Sequence, residues 1–340
     1  MESFERIYAA LKGKPVDRPP VFPQIGDHAG IINKLTYNKM YEDAKLAANA
    51  HLKALDLYKY DITSIQVEPS WPVAEACGAE VNYPFDKNPW ITKYLIESQI
   101  DLENLEVPDF MKTKSSRVMI EGTSILANEA EVPIAAFMTG PITFSFQLMP
   151  YELLIKRMVK DPEFTHALVK KSVMIIKEYI EALKDAGATV LVICEHDFQM
   201  LKPKLIKEYS LDYLPDLFEI YQYNILHMCG KVSSHLKELA DNIRNIKKLN
   251  TLNIGPFVDI KNTQDLFKHK IGIAGNIDHI RLLPCGSPNE IETAVHKAIE
   301  SSGGDSRFMV APGCEITSDT PIQNVKAFVN ATQTYNKNIK

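Results

Sequence analysis

Short apolar runs alternate with longer segments of helical periodicity through most of the chain. The apolar runs are bounded by Gly, Pro and polar residues, which is typical of buried strands. The run at 189–194 is almost entirely apolar, as expected of a strand covered on both faces of a parallel sheet. The pattern predicts strands at residues 21–26, 60–67, 134–139, 189–194, 224–228, 251–255, 271–277 and 308–311.

Apolar positions three and four residues apart predict helices between these strands. The clearest case is 164–186, where Val169, Val173, Ile176 and Ile180 share one side and Gly187 ends the segment. Further helices are predicted at 3–11, 39–57, 114–129, 233–244, 260–269, 289–300 and 319–332.

Alternating strands and helices imply parallel strands joined by right-handed crossovers. Eight such strands predict an α/β fold, a (β/α)8 TIM barrel with an elaborated N-terminal region. Residues 71–105 contain three prolines and have no clean period, so we interpret them as an excursion over the barrel mouth. We find no linker or internal repeat and expect residues 1–340 to form a single domain.

Composition narrows the functional classes. Hydrophobic content of 45% and charged content of 24% are ordinary for a globular protein. A net charge of −5 argues against nucleic acid as a partner. The longest apolar runs are too short to cross a membrane, and the N-terminal residues show no targeting pattern, so we expect a cytoplasmic protein. Five scattered cysteines do not indicate disulfides.

Polar residues follow several predicted strands, where TIM barrels carry their catalytic groups. We take Glu195 as the candidate catalytic residue. The candidate substrate-binding residues are Gln24, His28, Glu68 and Asn276. Structural roles are open alternatives for this class of residue: Asn276 would then hold a turn after Gly275. Other polar residues at these ends are Asp27, His196, Asp197, Asp278 and Glu315.

Two of these strand ends carry metal-ligand residue types. His227 and Cys229 are two residues apart, so on a strand their side chains point to the same face. Cys314 follows a Pro-Gly break at the end of another strand. One His and two Cys form a ligand set for Zn²⁺ that leaves a fourth position open, as in catalytic zinc sites. The alternative is that all three are core residues, since free Cys is commonly buried.

The sequence HMCG at 227–230, read with APGCEITSDTP at 311–321, resembles the His-x-Cys…Cys pattern of the methylcobamide:coenzyme M methyltransferases. These form a zinc-dependent branch of the uroporphyrinogen decarboxylase superfamily. FERIYAALKGKPVDRPPVFP at 4–23 resembles the opening segment general to that superfamily. The resemblance implies zinc held by His227, Cys229 and Cys314. It also implies transfer of a methyl group from a methylated corrinoid to a small thiol such as coenzyme M.

The corrinoid is expected to be supplied by a separate protein that docks at the barrel mouth. Corrinoid carriers have an Asp-x-His-x-x-Gly motif for the lower cobalt ligand. This chain has His269 and Gly272 at the matching spacing, but Phe267 occupies the position of the Asp. The chain also lacks a Gly-x-Gly-x-x-Gly or Walker loop, so we expect no nucleotide cofactor.

Three other functions remain open. Related corrinoid-dependent O-demethylases take methyl from a methoxy compound to cobalt, and the sequence Glu195-His196-Asp197 departs from what we expect of coenzyme M enzymes. A uroporphyrinogen decarboxylase needs no metal, but it must hold eight carboxylates, and this chain has only seven arginines. A non-catalytic metal-binding relative is the third. The acceptor thiol is also open, with homocysteine as an alternative to coenzyme M.

Overall fold

A parallel sheet of six strands forms most of the barrel wall in this computed structural model, which describes residues 1–66 and 70–335. The six strands pair in sequence order from the first to the last. Two shorter strands form a separate antiparallel hairpin. The hairpin strands are β1 (Glu80–Asn82) and β2 (Trp90–Lys93), and the wall strands are β3 (Ala135–Thr139), β4 (Val190–Cys194), β5 (Tyr223–Met228), β6 (Leu249–Ile254), β7 (Gly272–Ile277) and β8 (Met309–Pro312).

Two extended segments close the ring between β8 and β3. Residues 20–22 pair with β8 through Phe22 N to Val310 O, 2.9 Å, and Val310 N to Pro20 O, 2.9 Å. Thr63 pairs with β3, and Asp61 N donates to Val21 O at 3.1 Å, which joins the two segments to each other. The predicted eight-stranded barrel is therefore present.

The first two predicted strands, 21–26 and 60–67, are much shorter than expected. Each makes only one isolated bridge, at Val21 and at Thr63. Pro23 has no N–H to continue a ladder, and Gln24 and Gly26 have positive φ angles of 50° and 48°, which turn the chain away from the sheet. Residue 67 lies outside the described residues.

Helices cover the outside of the barrel and its N-terminal end. The described α-helices are α1 (Ser3–Leu11), α2 (His28–Ile32), α3 (Tyr37–Glu42), α4 (Ala44–Tyr58), α5 (Ser70–Cys77), α6 (Gln99–Asn104), α7 (Lys114–Glu129), α8 (Pro141–Leu148), α9 (Tyr151–Lys160), α10 (Pro162–Asp185), α11 (Pro203–Ile206), α12 (Leu214–Phe218), α13 (Ser233–Asn242), α14 (Ile260–Leu266), α15 (Leu282–Cys285), α16 (Pro288–Ser301) and α17 (Ile322–Thr334). A 3-10 helix, His196–Met200, and a π-helix, Lys207–Leu211, follow β4. None of the described helices combines the length and apolar character needed to cross a membrane.

The helix predicted at 39–57 is wrong as a single element. Asp43 has an extended backbone, with φ −144° and ψ 112°, and separates α3 from α4. Its side chain accepts a hydrogen bond from Leu46 N at 2.9 Å and so caps α4. The apolar periodicity continued across this break because both helices pack on the same core.

Alternate residues of the wall strands fill the barrel interior. Val190, Val192 and Cys194 of β4 belong to this inner cluster, together with Ile7 and Ala10 of α1. Helix α1 therefore closes the N-terminal end of the barrel. Access to the interior is left at the C-terminal ends of the strands, where TIM barrels hold their active sites.

Residues 71–105 contain the two short strands of the β1–β2 hairpin and also two helices, most of α5 and all of α6. The connection between the hairpin strands reaches the barrel mouth, because Phe85 O accepts a hydrogen bond from Tyr37 N at 3.1 Å. Lys87 and Asn88 line a cavity of about 500 Å³ with Asp27 and Glu315 from strand-end loops. The predicted excursion over the mouth is therefore observed.

Asp61 ties together the segments that close the barrel. Its carboxylate, 1% exposed, accepts hydrogen bonds from Arg6 Nη1 at 2.8 Å and from Arg18 Nη1 at 2.7 Å. Val21 N donates to the same carboxylate at 2.8 Å, and Ser3 Oγ donates at 2.9 Å. One buried charge thus holds α1 and both closing segments.

We expect Asp61→Asn to lower the free energy of unfolding by about 3 kcal/mol, because it removes the carboxylate that binds the largely buried Arg18 and one of the two that bind Arg6, whose other partner is Asp17. Equilibrium unfolding in urea measures the change. Asp56→Asn is the control, since the Asp56 side chain is 83% exposed and pairs only with Lys59. Equal stability of the two variants would contradict the role assigned to Asp61.

Candidate metal centre

Strand β5 places His227 and Cys229 at the mouth of the barrel. Ile225 faces the interior, so His227, two residues later, also does. Cys314 lies two residues beyond the end of β8. The ligand atoms of His227, Cys229 and Cys314 all lie within 4.8 Å of one another. His227 is 2% exposed and both cysteines are half-buried, so the three groups form a compact, shielded cluster.

Two glycines let the cysteine-bearing loops approach each other. A Cβ atom on Gly313 would lie 2.9 Å from Gly255 Cα and 2.4 Å from Pro256 Cδ. A Cβ atom on Gly255 would lie 3.3 Å from Gly230 N and 3.7 Å from Cys229 Cα. The loops after β5, β6 and β8 therefore meet backbone to backbone. This contact brings Cys314 to Cys229 across the barrel mouth.

Asn253 orients the imidazole of His227, with which it is paired in the sheet. Its Nδ2 donates to Ala274 O at 3.0 Å and to Pro312 O at 3.4 Å, so its Oδ1 is free to accept. That oxygen receives hydrogen bonds from His227 Nδ1 at 2.5 Å and from Gln24 Nε2 at 2.9 Å. His227 consequently carries its proton on Nδ1, and Nε2 keeps the lone pair that a metal requires.

Sequence analysis missed Asn253, although a signal was present. Thr251 and Asn253 are both buried polar residues on one face of β6, the face that points into the barrel. A fully buried Asn at the end of a barrel strand needs partners on neighbouring strands. Those partners became visible only once the strand register was known.

The two cysteines are electrostatically coupled. A hydrogen bond between them raises the pKa of Cys229 and lowers the pKa of Cys314 well below its usual range. The nearby His227 also lowers the pKa of Cys314. The thiol of Cys229 therefore shares its proton with the thiolate of Cys314. A divalent cation in place of this proton would neutralise both sulfurs.

The donor set fits zinc. With Zn–S bonds of about 2.3 Å and Zn–N bonds of about 2.0 Å, ligands of a tetrahedral ion lie roughly 3.5 Å apart, within the span of this cluster. His227, Cys229 and Cys314 would hold the ion through one nitrogen and two sulfurs. The second hydrogen bond of the His, to Asn253, is the usual outer support of such a ligand.

The carboxylate of Glu195 forms its hydrogen bonds with residues outside this cluster. Because Cys194 faces the barrel interior, Glu195 points into the layer of helices, where it is fully buried. Thr143 N donates to it at 3.0 Å, Ile142 N donates at 3.3 Å, and Ser210 Oγ also donates. These contacts anchor the N-terminus of α8 and the π-helix. The catalytic role of Glu195 stays a prediction.

The predicted substrate-binding residues have different environments. Gln24 contacts Asn253 beside the cluster, as described above. His28 is buried, with its Nδ1 3.1 Å from Ser318 O and its Nε2 2.8 Å from Tyr58 Oη, so both ring nitrogens are engaged. Asn276 Nδ2 donates to Val258 O at 2.6 Å. Glu68 lies outside the described residues. A substrate contact by any of them stays a prediction.

A second polar group adjoins the metal cluster through Glu315. Asp27 N donates to Glu315 Oε1 at 2.9 Å, and Gln66 Nε2 donates to Asp27 Oδ1 at 2.9 Å. Burial raises the pKa of Asp27 to about 6. Tyr41 contacts the same Gln66, and burial together with these carboxylates raises its pKa. This side of the mouth is therefore acidic, with Lys87 as the basic residue that lines its cavity.

A sequence profile of the family described as uroporphyrinogen decarboxylase (URO-D) matches residues 2–335. The chain belongs to this family. Relatives named for two different activities are similar to it. The methylcobamide:CoM methyltransferase MtaA of Methanosarcina barkeri is 26% identical, with 97% of each chain covered. The uroporphyrinogen decarboxylase of Coxiella burnetii is 23% identical, with 97% of this chain and 95% of the relative covered.

A solved structure has the same fold. A methyltransferase from Methanosarcina mazei superposes with a TM-score of 0.88 and covers 98% of each chain at 23% sequence identity. This match and the closed ring of parallel strands establish the predicted TIM-barrel fold.

We expect Asn253→Ala to weaken zinc binding about 10- to 100-fold, because His227 loses the acceptor that fixes its tautomer and ring orientation. Competition with a chromophoric zinc chelator measures the affinity. Asn250→Ala is the matched control on the same strand, where Asn250 bonds Asn224 N and Leu11 O at the far end of the barrel. Equal zinc affinities in the two variants would contradict the positioning role.

Burial raises the pKa of Glu195 to about 7 from 4.5, even though Ser210 and Thr143 donate to the carboxylate. The folded state therefore binds this proton more tightly than the unfolded state. The resulting stability is fully present below pH 4.5 and is lost as the pH rises through 7. We expect this residue to lower the free energy of unfolding by about 3 kcal/mol between pH 4 and pH 8.

Glu195→Gln should remove that component, so the variant loses less stability than the wild type over the same pH range. Urea unfolding at several pH values measures the difference. Glu163→Gln is the control, because Glu163 is exposed on α10. If the pH dependence of Glu195→Gln follows that of the control, the assigned protonation behaviour is wrong.

Proposed function

We propose that the protein is a zinc-dependent methyltransferase that moves a methyl group from a methylated corrinoid to a small thiol such as coenzyme M. The observation that carries this proposal is the cluster of His227, Cys229 and Cys314 within 4.8 Å. MtaA, a relative across nearly the full length, is by its name a methylcobamide:CoM methyltransferase, and this supports the reaction class.

The residues of the cluster determine the charge of the site. Two thiolates, Cys229 and Cys314, and a neutral His227 balance the charge of Zn²⁺. When bound, zinc supplies an open coordination position in which a substrate thiol loses its proton at neutral pH. With a substrate thiolate as a third sulfur beside Cys229 and Cys314, the site would carry a net negative charge. This charge would keep the substrate sulfur electron-rich and therefore nucleophilic.

Methyl transfer is then a displacement at carbon. The thiolate sulfur forms a bond to the methyl carbon while the carbon–cobalt bond breaks, and its electron pair stays on cobalt as Co(I). The proton released by the thiol leaves to solvent. The protein contributes mainly position, because holding sulfur and methyl in line removes much of the entropic barrier.

The corrinoid has to approach through the mouth of the barrel, since α1 closes the other end. Large apolar side chains are exposed on three loops around this mouth. They are Met200 at 61%, Phe257 at 58% and Ile280 at 58%. Exposed apolar groups of this kind are common where a partner protein docks. They support a separate corrinoid protein as the methyl donor.

We also infer that residues 1–340 form one domain.

Two of the three alternatives, the uroporphyrinogen decarboxylase and the O-demethylase, have less support. Of the seven arginines, all in the described chain, only Arg281 lies in a loop that directly follows a wall strand. This is a poor site for a substrate with eight carboxylates, as a uroporphyrinogen decarboxylase would require. The O-demethylase alternative relied on Glu195-His196-Asp197, and the carboxylate of Glu195 is engaged by α8 and Ser210.

The decisive experiment uses zinc-loaded protein, methylcobalamin and a panel of thiols that includes coenzyme M and homocysteine. We expect about one zinc per chain and loss of the methylcobalamin absorbance with the correct thiol. X-ray absorption at the zinc edge should show one additional sulfur neighbour when this thiol is added, because three protein ligands leave one position. An O-demethylase would bind an oxygen ligand instead, and added thiol would leave the sulfur count unchanged.

Cys229→Ala and Cys314→Ala should each lose most of the zinc and the transfer activity. Cys285→Ala is the matched control, because Cys285 is exposed on α15, away from the cluster. Full zinc content and full activity in both cluster variants would disprove the metal assignment. A normal zinc content with no thiol response would favour the O-demethylase.

A further inference from the structure

His279 lies beside the metal cluster, although it was not among the site residues predicted from the sequence. Ile277 of β7 is paired with Pro312 of β8, and Gly313 N donates to Ile277 O at 2.8 Å, which extends the pairing by one step. His279 is two residues beyond Ile277, and Cys314 is two residues beyond Pro312. His279 and Cys314 thus lie in the two adjoining loops that follow these paired strands.

A tight turn fixes His279 in this place. The side chain of Asp278 accepts hydrogen bonds from Ile280 N at 2.9 Å and from Arg281 N at 3.0 Å. Leu283 N donates to Asp278 O at 3.0 Å and connects the turn to α15. The backbone on both sides of His279 is thus held by hydrogen bonds that do not involve its imidazole.

The imidazole of His279 has an unused buried atom. Its Nδ1 is shielded from solvent and has no hydrogen-bond partner, a state that is uncommon for a buried polar atom. It lies close enough to Cys314 and His227 to interact electrostatically with both groups. His279 is nevertheless outside the group of three whose ligand atoms lie within 4.8 Å of one another. It borders the cluster without belonging to the ligand set.

We propose that His279 donates a hydrogen bond to the sulfur of the acceptor thiol when this thiol binds beside Cys314. The inference rests on the proposed function. A thiolate can only accept hydrogen bonds. A neutral imidazole with its proton on Nδ1 supplies such a donor beside the cluster, on the side of Cys314. The bond would offset part of the excess negative charge that a third thiolate brings.

Cobalt(II) in place of zinc makes thiol binding visible, because thiolate-to-cobalt charge transfer absorbs near the ultraviolet. Titration with coenzyme M and with homocysteine then gives a dissociation constant without any methyl transfer. For His279→Ala we expect this constant to rise about 10-fold. The metal affinity should stay within about twofold, because His279 is not a ligand. His279→Gln should recover part of the thiol affinity through its amide N–H.

His269→Ala is the matched control, since His269 is exposed at the end of α14 and contacts Asp265 and Asp305. A thiol dissociation constant in His279→Ala and His279→Gln equal to that of the control would overturn the inference and leave the proposed function intact. Loss of metal affinity in both variants would also overturn it, by showing that His279 is a ligand. If the wild-type protein binds no thiol, the proposed function and this inference both fail.

Discussion

Two half-buried cysteine sulfurs that can share a proton or bind a metal ion lie at the centre of the mouth of this barrel. Cys229 and Cys314 come from strands that are not neighbours, and they meet because Gly313 packs against the loop after β6. Two thiolates at such a distance repel each other, so the arrangement persists only with a shared proton or a metal ion. The imidazole of His227 and its bond to Asn253 complete a donor set that favours the metal.

Stability and chemistry lie at opposite ends of the molecule. At the N-terminal end, Asp61 binds two arginines and the backbone of Val21, and the ring closes around one buried charge. At the C-terminal end, the loops carry His227, Cys229 and Cys314. The division follows from parallel strands, whose carboxyl ends all meet at one edge and carry the loops. Substitutions at the mouth can therefore alter the chemistry without unfolding the barrel.

Properties with a local signal were predictable from the sequence, and properties set by register were not. The period of two along β5 was enough to place His227 and Cys229 on one face. Whether a residue faces the barrel or the helices requires the position of the strand in the ring, which is why Glu195 was expected at the mouth but points towards α8. Asn253 and His279 gain their importance from neighbours distant in the sequence: His227 lies 26 residues before Asn253, and Cys314 lies 35 residues after His279. The strand predicted at 21–26 ends early, because Pro23 and the positive φ angle of Gln24 stop the hydrogen-bonded pairing with β8.

The family alone does not decide the reaction, because the same barrel supports relatives named as decarboxylases and as methyltransferases at 23% to 26% identity. The side chains at the strand ends discriminate between them. A substrate with many carboxylates needs several cations around the mouth. Arg281 is the one arginine in a loop directly after a wall strand of the described chain, and Asp27 and Glu315 make another part of the mouth acidic. A thiol needs a soft metal with one open ligand position. The three donors of the cluster would hold such a metal and leave the fourth position open. The chemistry of this donor set, more than the fold, therefore favours methyl transfer to sulfur.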